Sequence, residues 1–202
     1  MKTTNWDQRY SEPGFIYGTT PNSFLVSVVD RIPPGRVLML AEGEGRNAVY
    51  LASRGFQITA VDGSAVGLGK ALELAAERGV SLTTIVADLG EFEIEPEKWD
   101  AAVSCFCHIP AAIRIPLHRK VVQGLKPGGV FVLEAFSKEQ MDYDTGGPKS
   151  LDMLMSVKEL RQELDGLDFI HAATLVRDVK EGRGHTGLAS VVQILAAKPL
   201  TP

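Results

Sequence analysis

The sequence predicts an α/β fold in which helices flank a mostly parallel sheet. Apolar runs of strand length alternate with helical patterns from Gly35 to Glu134, and this alternation is typical of repeated βα units. Two further apolar runs, Asp168 to Val176 and Leu188 to Ala197, are separated by the charged turn Asp178 to Gly184. A connection this short indicates antiparallel pairing, because a parallel crossover needs about a dozen residues or more. We therefore expect a final hairpin beside the parallel strands.

The caps and stops in the sequence predict where the helices begin and end. Thr20-Pro21 looks like a cap followed by proline at the first helical position. The segment Ser64 to Arg78 begins with a serine cap, and a helix near Ile113 to Leu125 is stopped by Lys126-Pro127-Gly128-Gly129. Ser156-x-x-Glu159 is a capping-box pattern. The predicted parallel strands are Arg36 to Ala41, Gln57 to Val61, Ser81 to Ala87, Asp100 to Cys105 and Gly128 to Ala135.

Length and composition predict a single domain, residues 1–202. Residues 1–34 are expected to form an N-terminal lid and helices, and residues 35–202 the core. The formal net charge of −4 argues against a nucleic-acid partner, because such binding depends on Lys and Arg that neutralise phosphates. We expect a small-molecule partner instead, and the sequence leaves the oligomeric state open.

The N-terminus and the cysteines predict a cytoplasmic location. Residues 1–7 show no apolar signal-peptide core, and no apolar run approaches the roughly 18 residues that a membrane span needs. Cys105 and Cys107 cannot build a disulfide framework, which fits a reducing compartment. We expect these cysteines to be small buried hydrophobes on one face of a strand. The four histidines lack metal-ligand spacing, so no metal site is predicted.

A glycine-rich turn after the first strand predicts a nucleotide site. The strand ends in Glu42-Gly43-Glu44-Gly45 and opens a helix, and Asp62 closes the next strand. Gly43-x-Gly45-x-x-Ala48 satisfies the pattern of dinucleotide-binding turns, where glycine lets the backbone approach the ligand. The Asp62 carboxylate can accept hydrogen bonds from the hydroxyls of a ribose. The alternatives are a tight turn without a ligand and an aspartate that only caps the following helix.

The same turn fits S-adenosylmethionine better than a nicotinamide cofactor. Glu42 places a negative charge before the first glycine, which would repel a pyrophosphate and attract the cationic amino-acid end of S-adenosylmethionine. Short-chain dehydrogenases of this size need a Tyr-x-x-x-Lys pair, and here Tyr50 is followed by Arg54. An NAD(P)-dependent oxidoreductase remains the first alternative.

Ordered motifs along the chain resemble class I S-adenosylmethionine-dependent methyltransferases. The matching blocks are Glu42-Gly43-Glu44-Gly45, Asp62, Asp88, Trp99-Asp100, Leu125-Lys126-Pro127-Gly128-Gly129 and the final hairpin. Within that superfamily, three further blocks resemble the tellurite-resistance and thiopurine-methyltransferase-like branch: Trp6-Asp7-x-Arg9-Tyr10, Tyr17-Gly18 with Pro21-Asn22, and Gly146-Gly147-Pro148. The resemblance implies a Rossmann-like seven-stranded sheet in the order 3-2-1-4-5-7-6 with the last strand antiparallel.

The resemblance also implies roles for individual residues toward S-adenosylmethionine, whose product is S-adenosylhomocysteine. Gly43 and Gly45 would face the methionine and ribose, and Asp62 would hold the ribose hydroxyls, beside Gly63 and Ser64. Asp88 and the backbone of Leu89 would meet the adenine, although Asp88 could instead cap a turn. Cys105 and Phe106 would flank the methionine and the reactive methyl. The expected lid contains Trp6, Arg9, Tyr10, Phe15 and Tyr17, of which Trp6 and Tyr17 could equally be packing anchors.

The acceptor side is less defined by the sequence. The branch implies a thiol or chalcogen acceptor, which needs no general base, and the absence of an Asp/Asn-Pro-Pro-Tyr/Phe motif argues against methylation of nucleic-acid amino groups. His108, Tyr143 and His185 are candidates for the acceptor pocket, with a hydrogen-bonded structural residue, a surface residue and a turn residue as their alternatives. Tyr143 lies in the polar segment Ser137 to Leu154, whose length favours a binding loop. No catalytic residue is assigned, so a cofactor-binding module without turnover is the second alternative.

Overall fold

The computed structural model describes residues 6–200, which form one seven-stranded sheet flanked by helices. The strands are β1 (Arg36–Leu40), β2 (Gln57–Asp62), β3 (Thr83–Val86), β4 (Trp99–Cys105), β5 (Leu125–Phe136), β6 (Asp168–Glu181) and β7 (His185–Ala197). Their order is β3-β2-β1-β4-β5-β7-β6. The first five strands are parallel to one another, and β7 is antiparallel to β5 and β6. The predicted sheet order and its antiparallel last strand are confirmed.

Two apolar clusters cover the two faces of the sheet. Side chains alternate across a strand, so Val37 and Met39 of β1 pack on one face and Leu38 and Leu40 on the other. The first face is covered by α2 (Ser23–Val28), α3 (Arg46–Ser53) and α4 (Ala65–Glu77), and the second by α5 (Ala111–Gly124) and α6 (Val157–Glu163). A short helix, α1 (Trp6–Tyr10), precedes them. Within residues 6–200, no helix has the length and apolar character that a membrane crossing needs.

The predicted starts of α4 and α6 are confirmed, and the predicted start of α2 is wrong. Ser64 caps α4 and Ser156 caps α6 as expected, with their side chains accepting from the Gly67 and Glu159 amides. However, α2 begins two residues later than the Thr20-Pro21 pattern suggests. Asn22 is its cap, because the Asn22 side chain accepts from the Leu25 amide at 2.9 Å.

The final hairpin is longer than predicted. β6 continues to Glu181 and β7 begins at His185, so the expected charged turn Asp178 to Gly184 shrinks to Gly182–Gly184. The charged residues that suggested a solvated turn lie instead in a ladder, where Glu181 pairs with His185. His185 is therefore a strand residue.

The two cysteines do not lie on one face of a strand. β4 ends at Cys105, and the next residue, Phe106, has a φ of 55°, which turns the chain. Cys105 consequently packs beside the cluster under α2 and α3, whereas Cys107 is buried in the cluster under α5 and α6. Both thiols are free.

Gly45 lets α3 approach α4 at the glycine-rich turn. It is the N-cap of α3 with a φ of 89°, a conformation that disfavours any residue with a Cβ. A Cβ at this position would lie 2.5 Å from the Cβ of Ala71 on α4. The second glycine of the motif is thus required by helix packing as well as by backbone conformation.

We expect Gly45→Ala to lower the free energy of unfolding by about 2–4 kcal/mol, since the left-handed backbone and the overlap with Ala71 both oppose the new methyl group. Gly69→Ala is the matched control, because Gly69 lies in α4 with no heavy atom within 4 Å of an added Cβ. That change should raise stability by about 0.5–1 kcal/mol. Thermal or urea unfolding of both variants measures the difference, and equal effects would contradict this account of Gly45.

A buried ionic contact joins α5 to α6. Arg114 donates to both carboxylate oxygens of Glu163 at 2.9–3.2 Å, and Nδ1 of His118 lies 2.7 Å from Glu163 Oε2. Burial opposes ionisation of Glu163, but the hydrogen bonds from His118 and Arg114 lower its pKa to about 2. The contact therefore stabilises the ionised carboxylate and the docking of α6.

The lowered pKa of Glu163 predicts a loss of stability in acid. Its contribution is complete above the ordinary pKa of 4.5 and disappears as the pH falls toward 2, which amounts to about 3 kcal/mol. We expect Glu163→Gln to flatten the decline of the unfolding free energy between about pH 5 and pH 2. Glu93→Gln, at an exposed pair with Lys120, is the control. Identical pH profiles for Glu163→Gln and the native chain would refute the assignment.

Candidate cofactor and acceptor site

Asp62 fastens the ends of β1 and β2 together. Its Oδ2 accepts from the Gly43 amide and its Oδ1 from the Ser64 amide, both at 2.8 Å. Burial raises the pKa of Asp62, and the two main-chain donors oppose that shift. Each oxygen of a carboxylate has two acceptor positions. Asp62 therefore both shapes the turn and has acceptor positions left for the hydroxyls of a ribose.

Glu42 caps the helix that follows the glycine-rich turn. Its Oε1 accepts from the amides of Asn47 and Ala48 at 3.1 and 2.8 Å. Burial raises the pKa of Glu42 to about 7. The sequence suggested attraction of a cation by this carboxylate, and the capping role was missed because a glutamate before the first glycine does not match the usual Ser/Thr/Asp/Asn cap.

The N-terminal helix lies directly over the glycine-rich turn. A Cβ on Gly43 would come within 2.5 Å of the Tyr10 hydroxyl, and one on Gly67 within 2.8 Å of the Tyr10 ring. Asp7 accepts from the Ser64 hydroxyl at 2.5 Å, and Trp6 stacks on Tyr10 with ring centroids 5.4 Å apart. The absence of a Cβ at Gly43 and Gly67 therefore lets the Tyr10 side chain pack directly against the turn.

A second contact, which the sequence did not indicate, holds the rest of the N-terminal segment. Glu44 Oε2 accepts from the Ile16 amide at 2.7 Å, and Glu44 Oε1 pairs with Lys70 at 3.0 Å. Lys70 also donates to the Gly14 carbonyl at 2.6 Å. Glu44 occupies a variable position of the glycine pattern, so no motif could have singled it out. It connects the turn, α4 and the N-terminal segment.

The expected adenine contacts lie at the end of β3. Asp88 is exposed, and its Oδ1 accepts from the Gly90 amide at 2.8 Å, while Leu89 is buried in the core. Asp88 therefore does cap the turn that follows β3, as the alternative interpretation predicted. Gly63 lies between Asp62 and Ser64 with no close side-chain neighbour. Contacts of these residues with adenine and ribose stay predictions.

An aromatic cluster lies where β4 and β5 end and β7 begins. Phe106 and Phe136 have ring centroids 4.8 Å apart, and His185 lies 4.9 Å from Phe106 and 5.0 Å from Phe136. Tyr17 approaches His185 at 4.7 Å, and His108 stacks on Phe136 at 5.3 Å. We call these five residues the aromatic cluster. Parallel strands present their carboxyl ends to ligands in such sheets, so the cluster is the candidate acceptor side.

Arg9 and Gly147 complete the surroundings of this cluster. The Arg9 guanidinium lies 5.6 Å from the ring centre of Tyr17 and 5.5 Å from that of Trp6, which is cation–π distance. A Cβ on Gly147 would lie 2.6 Å from the Phe136 ring. The predicted lid and the predicted binding loop thus both reach the aromatic cluster.

His108 is held by the main chain on both sides. Its Nδ1 lies 3.0 Å from the Met153 carbonyl, and its Nε2 accepts from the Phe136 amide at 3.3 Å. Burial lowers its pKa to about 4. Both ring nitrogens of the neutral His108 imidazole are bonded, so neither is free to accept a proton. His108 is therefore a structural member of the aromatic cluster.

The structure does not bring Tyr143 into the aromatic cluster. Tyr143 is half-buried; its amide donates to the Gln140 carbonyl, and its carbonyl accepts from Lys149 Nζ. Cys105 lies at the end of β4 as expected, but burial raises the pKa of its thiol well above the ordinary value. In the same residues, no group of three or more His, Cys, Asp or Glu side chains could hold a metal ion.

A buried ionic cluster lies behind the aromatic cluster, and sequence reasoning missed it. Glu134 and Glu181 are almost inaccessible. Arg177 donates to Glu134 at 2.9 Å, and Arg46 donates to Glu181 at 2.7 Å. The side-chain amide of Asn22 donates to both carboxylates. These five residues balance two negative and two positive charges, as burial of ions requires.

The chain is similar to known methyltransferases in sequence and in structure. The family described as a methyltransferase domain matches residues 37–129. A 2-heptyl-1-hydroxyquinolin-4(1H)-one methyltransferase of Mycobacteroides abscessus is 29% identical over 159 residues, which are 77% of this chain and 68% of that protein. TehB from Haemophilus influenzae has a TM-score of 0.72 at 19% identity, over 96% of this chain and 65% of that chain.

A third similar protein was solved in work on the conversion of a disulfide bond into a thioacetal group during echinomycin biosynthesis. It has a TM-score of 0.77 at 16% identity and covers 98% of this chain and 91% of its own. At such identities the likeness shows the fold. The methyltransferase-domain match over residues 37–129 and the methyltransferase relative together support S-adenosylmethionine-dependent methyl transfer by this chain.

Proposed function

We propose that this protein transfers a methyl group from S-adenosylmethionine to a small acceptor that binds in the aromatic cluster. The observation that carries the proposal is the position of the cluster, because Phe106 directly follows β4 and lies one strand from the glycine-rich turn. Residues 1–202 act in this proposal as one domain with residues 1–34 as the lid. The cytoplasmic location stays a prediction.

The residues of the turn fit S-adenosylmethionine. Gly43 has a φ of 63°, which gives the turn its left-handed backbone, and the Tyr10 hydroxyl covers the turn at this residue. The free acceptor positions of Asp62 suit the ribose hydroxyls, and the second oxygen of Glu42 suits the cationic amino-acid end. Gly63, Ser64, Asp88 and Leu89 are proposed around the ribose and adenine. The two remaining cofactor contacts, Cys105 and Phe106, are proposed beside the methionine and methyl.

The acceptor that suits the aromatic cluster best is a planar ring carrying a hydroxyl or thiol. Aromatic walls favour stacked or edge-on rings, and the relative from Mycobacteroides abscessus is named for a hydroxyquinolone. The likeness to TehB supports a chalcogen species as the second candidate. An oxyanion needs free cationic donors, however, and Arg46 and Arg177 are already paired with carboxylates. The ring acceptor is therefore preferred, with oxygen and sulfur nucleophiles both open.

The chain would accelerate transfer mainly by alignment. S-adenosylmethionine supplies an electrophilic methyl group on a positively charged sulfur. The lid residues Trp6, Arg9 and Tyr17 exclude water, and Phe106, whose ring is partly exposed, orients the acceptor. Such positioning is worth about 7–11 kcal/mol in favourable cases.

Binding measurements test the cofactor assignment. Isothermal titration calorimetry should show binding of S-adenosylhomocysteine and none of NAD. Asp62→Ala should weaken that binding by about 1.5–3 kcal/mol through loss of the ribose hydrogen bonds, whereas Asp168→Ala, at an exposed aspartate that begins β6, should leave it unchanged. Binding of NAD alone, or native affinity in a folded Asp62→Ala protein, would overturn the assignment.

Turnover measurements test the acceptor. Labelled S-adenosylmethionine is incubated with phenols, aromatic thiols, a hydroxyquinolone, selenite, tellurite and small amines. We expect methylated product from the ring compounds, and Phe106→Ala, at the partly exposed ring of the aromatic cluster, should raise the KM for these acceptors about tenfold, because an aromatic contact of about 1.5 kcal/mol is lost. Methylation of tellurite or selenite alone would favour the chalcogen alternative, and cofactor binding without any product would favour the non-catalytic module.

A further inference from the structure

We propose that His185 is the base that deprotonates a protic acceptor and that Glu181 is its positioning residue. This inference rests on the proposed function, since it assigns a proton transfer to the same acceptor site. It adds to the proposed alignment the proton transfer that a hydroxyl acceptor requires. The geometric basis is a carboxylate and an imidazole paired across the end of the β6–β7 hairpin.

The hairpin fixes the two side chains opposite each other. Glu181 is the last residue of β6 and His185 the first of β7, and the two are partners in the antiparallel ladder around Gly182–Gly184. Their closest atoms, Glu181 Oε2 and His185 Nδ1, are 3.6 Å apart. The pair thus sits on a tight turn between two strands.

Glu181 is anchored from several sides. Arg46 donates to its Oε2 at 2.7 Å, and Asn22 and Arg177 donate to its Oε1 at 2.9 and 3.3 Å. Although burial opposes ionisation, the contact with His185 and the charge of Arg46 lower the pKa of Glu181 to about 2. The side chain is therefore a fixed anion at neutral pH.

The fixed anion assigns the tautomer of His185. His185 is 8% exposed, and its Nδ1 is buried with Glu181 as its near polar neighbour. An ionised carboxylate only accepts hydrogen bonds, so Nδ1 carries the proton and Nε2 presents a lone pair. The same logic orients histidine bases in other enzymes.

The other edge of the His185 ring faces the acceptor side. A Cβ on Gly146 would come within 3.0 Å of His185 Cδ2 and 3.8 Å of Nε2, so a glycine of the binding loop lets the chain pass this edge. The rings of Phe106, Phe136 and Tyr17 surround it at 4.7–5.0 Å. Nε2 therefore lies at the boundary between the aromatic cluster and the loop.

Other titratable groups near the site do not suit this role. Both nitrogens of His108 are bonded to the main chain. Burial raises the pKa of the Cys107 thiol to about 12 and that of the Tyr10 hydroxyl further. Glu134 is bonded to Arg177 and Asn22. Among the described residues, His185 alone combines a free ring nitrogen with contact to the aromatic cluster.

The proposed step balances as follows. The acceptor's X–H bond breaks and its proton passes to His185 Nε2, while the electron pair on X forms a bond to the methyl carbon. The methyl–sulfur bond breaks, and its electron pair stays on the sulfur, which becomes neutral. The charge of the resulting imidazolium is stabilised by Glu181 and is lost when the proton passes to water.

The kinetic test compares two acceptors with one variant. 1-Naphthol keeps its proton at neutral pH, whereas 4-nitrothiophenol has already ionised. In His185→Ala we expect the kcat for 1-naphthol to fall about 100-fold or more, the kcat for 4-nitrothiophenol to change less than about threefold, and added imidazole to restore part of the naphthol rate. Equal losses for both acceptors without imidazole rescue, or no loss for either, would overturn the base assignment.

His171→Ala is the matched control. His171 is a half-buried histidine on β6 that contacts Phe24, with a buried Nε2 that lacks a partner, and it lies ten residues, or about 33 Å, from Glu181 along the strand. Its loss should leave the rates for both acceptors within about twofold of the native protein. A 100-fold loss with naphthol in this control would show that the effect is structural.

A second readout does not depend on turnover. NMR of ¹⁵N-histidine-labelled protein should show His185 protonated at Nδ1, and Glu181→Gln, which can offer an amide donor to the ring, should shift the population toward the Nε2-protonated form. An Nε2-protonated ring in the native protein would refute the inference. Failure of the native protein to bind S-adenosylhomocysteine would instead refute the proposed function, so the two failures are distinguishable.

Discussion

The burial of two carboxylates at the ends of β5 and β6 is the constraint on which the acceptor side depends. Glu134 and Glu181 are removed from water, and such anions persist only where donors replace their hydration. The donors come from distant parts of the chain: Asn22 caps α2, Arg46 begins α3 and Arg177 lies on β6. The N-terminal segment, the glycine-rich turn and the hairpin therefore form one unit, because separating any of them would leave an unpaired charge.

This unit divides the lid into two parts. The main chain at Ile16 is bonded to Glu44 and to the hairpin at Arg183 and Gly184, so this part belongs to the fixed structure. Helix α1, by contrast, has exposed Trp6 and Asp7 side chains. Short exposed elements open at low free energy. The Tyr10 side chain of α1 nevertheless packs against Gly43 and Gly67, so α1 covers the glycine-rich turn.

The individual strands and the glycine-rich turn could be predicted because their signals are local, whereas the order of the strands was implied by the family resemblance. Strand periodicity, capping serines and the spacing of Gly43, Gly45 and Asp62 are all visible within short windows. The hairpin could not be delimited, because Glu181 looks like a solvated turn residue until its partner Arg46, 135 positions away, is known. The role of Glu44 could not be predicted for the same reason, since its bond to the Ile16 amide spans 28 positions. The sequence does not show which polar and charged groups far apart in the chain will pair.

The residues that the nucleotide motif assigns to ligand binding also stabilise the fold. Gly45 is required by the packing of α3 on α4, Glu42 caps α3, and Asp62 binds the Gly43 and Ser64 amides. These hydrogen bonds do not involve a ligand, so the turn already has its shape when the cofactor arrives. A preformed site loses little conformational entropy on binding. The structural roles of these residues are therefore compatible with their proposed binding roles, because the hydrogen bonds that shape the turn would also hold it ready for a cofactor.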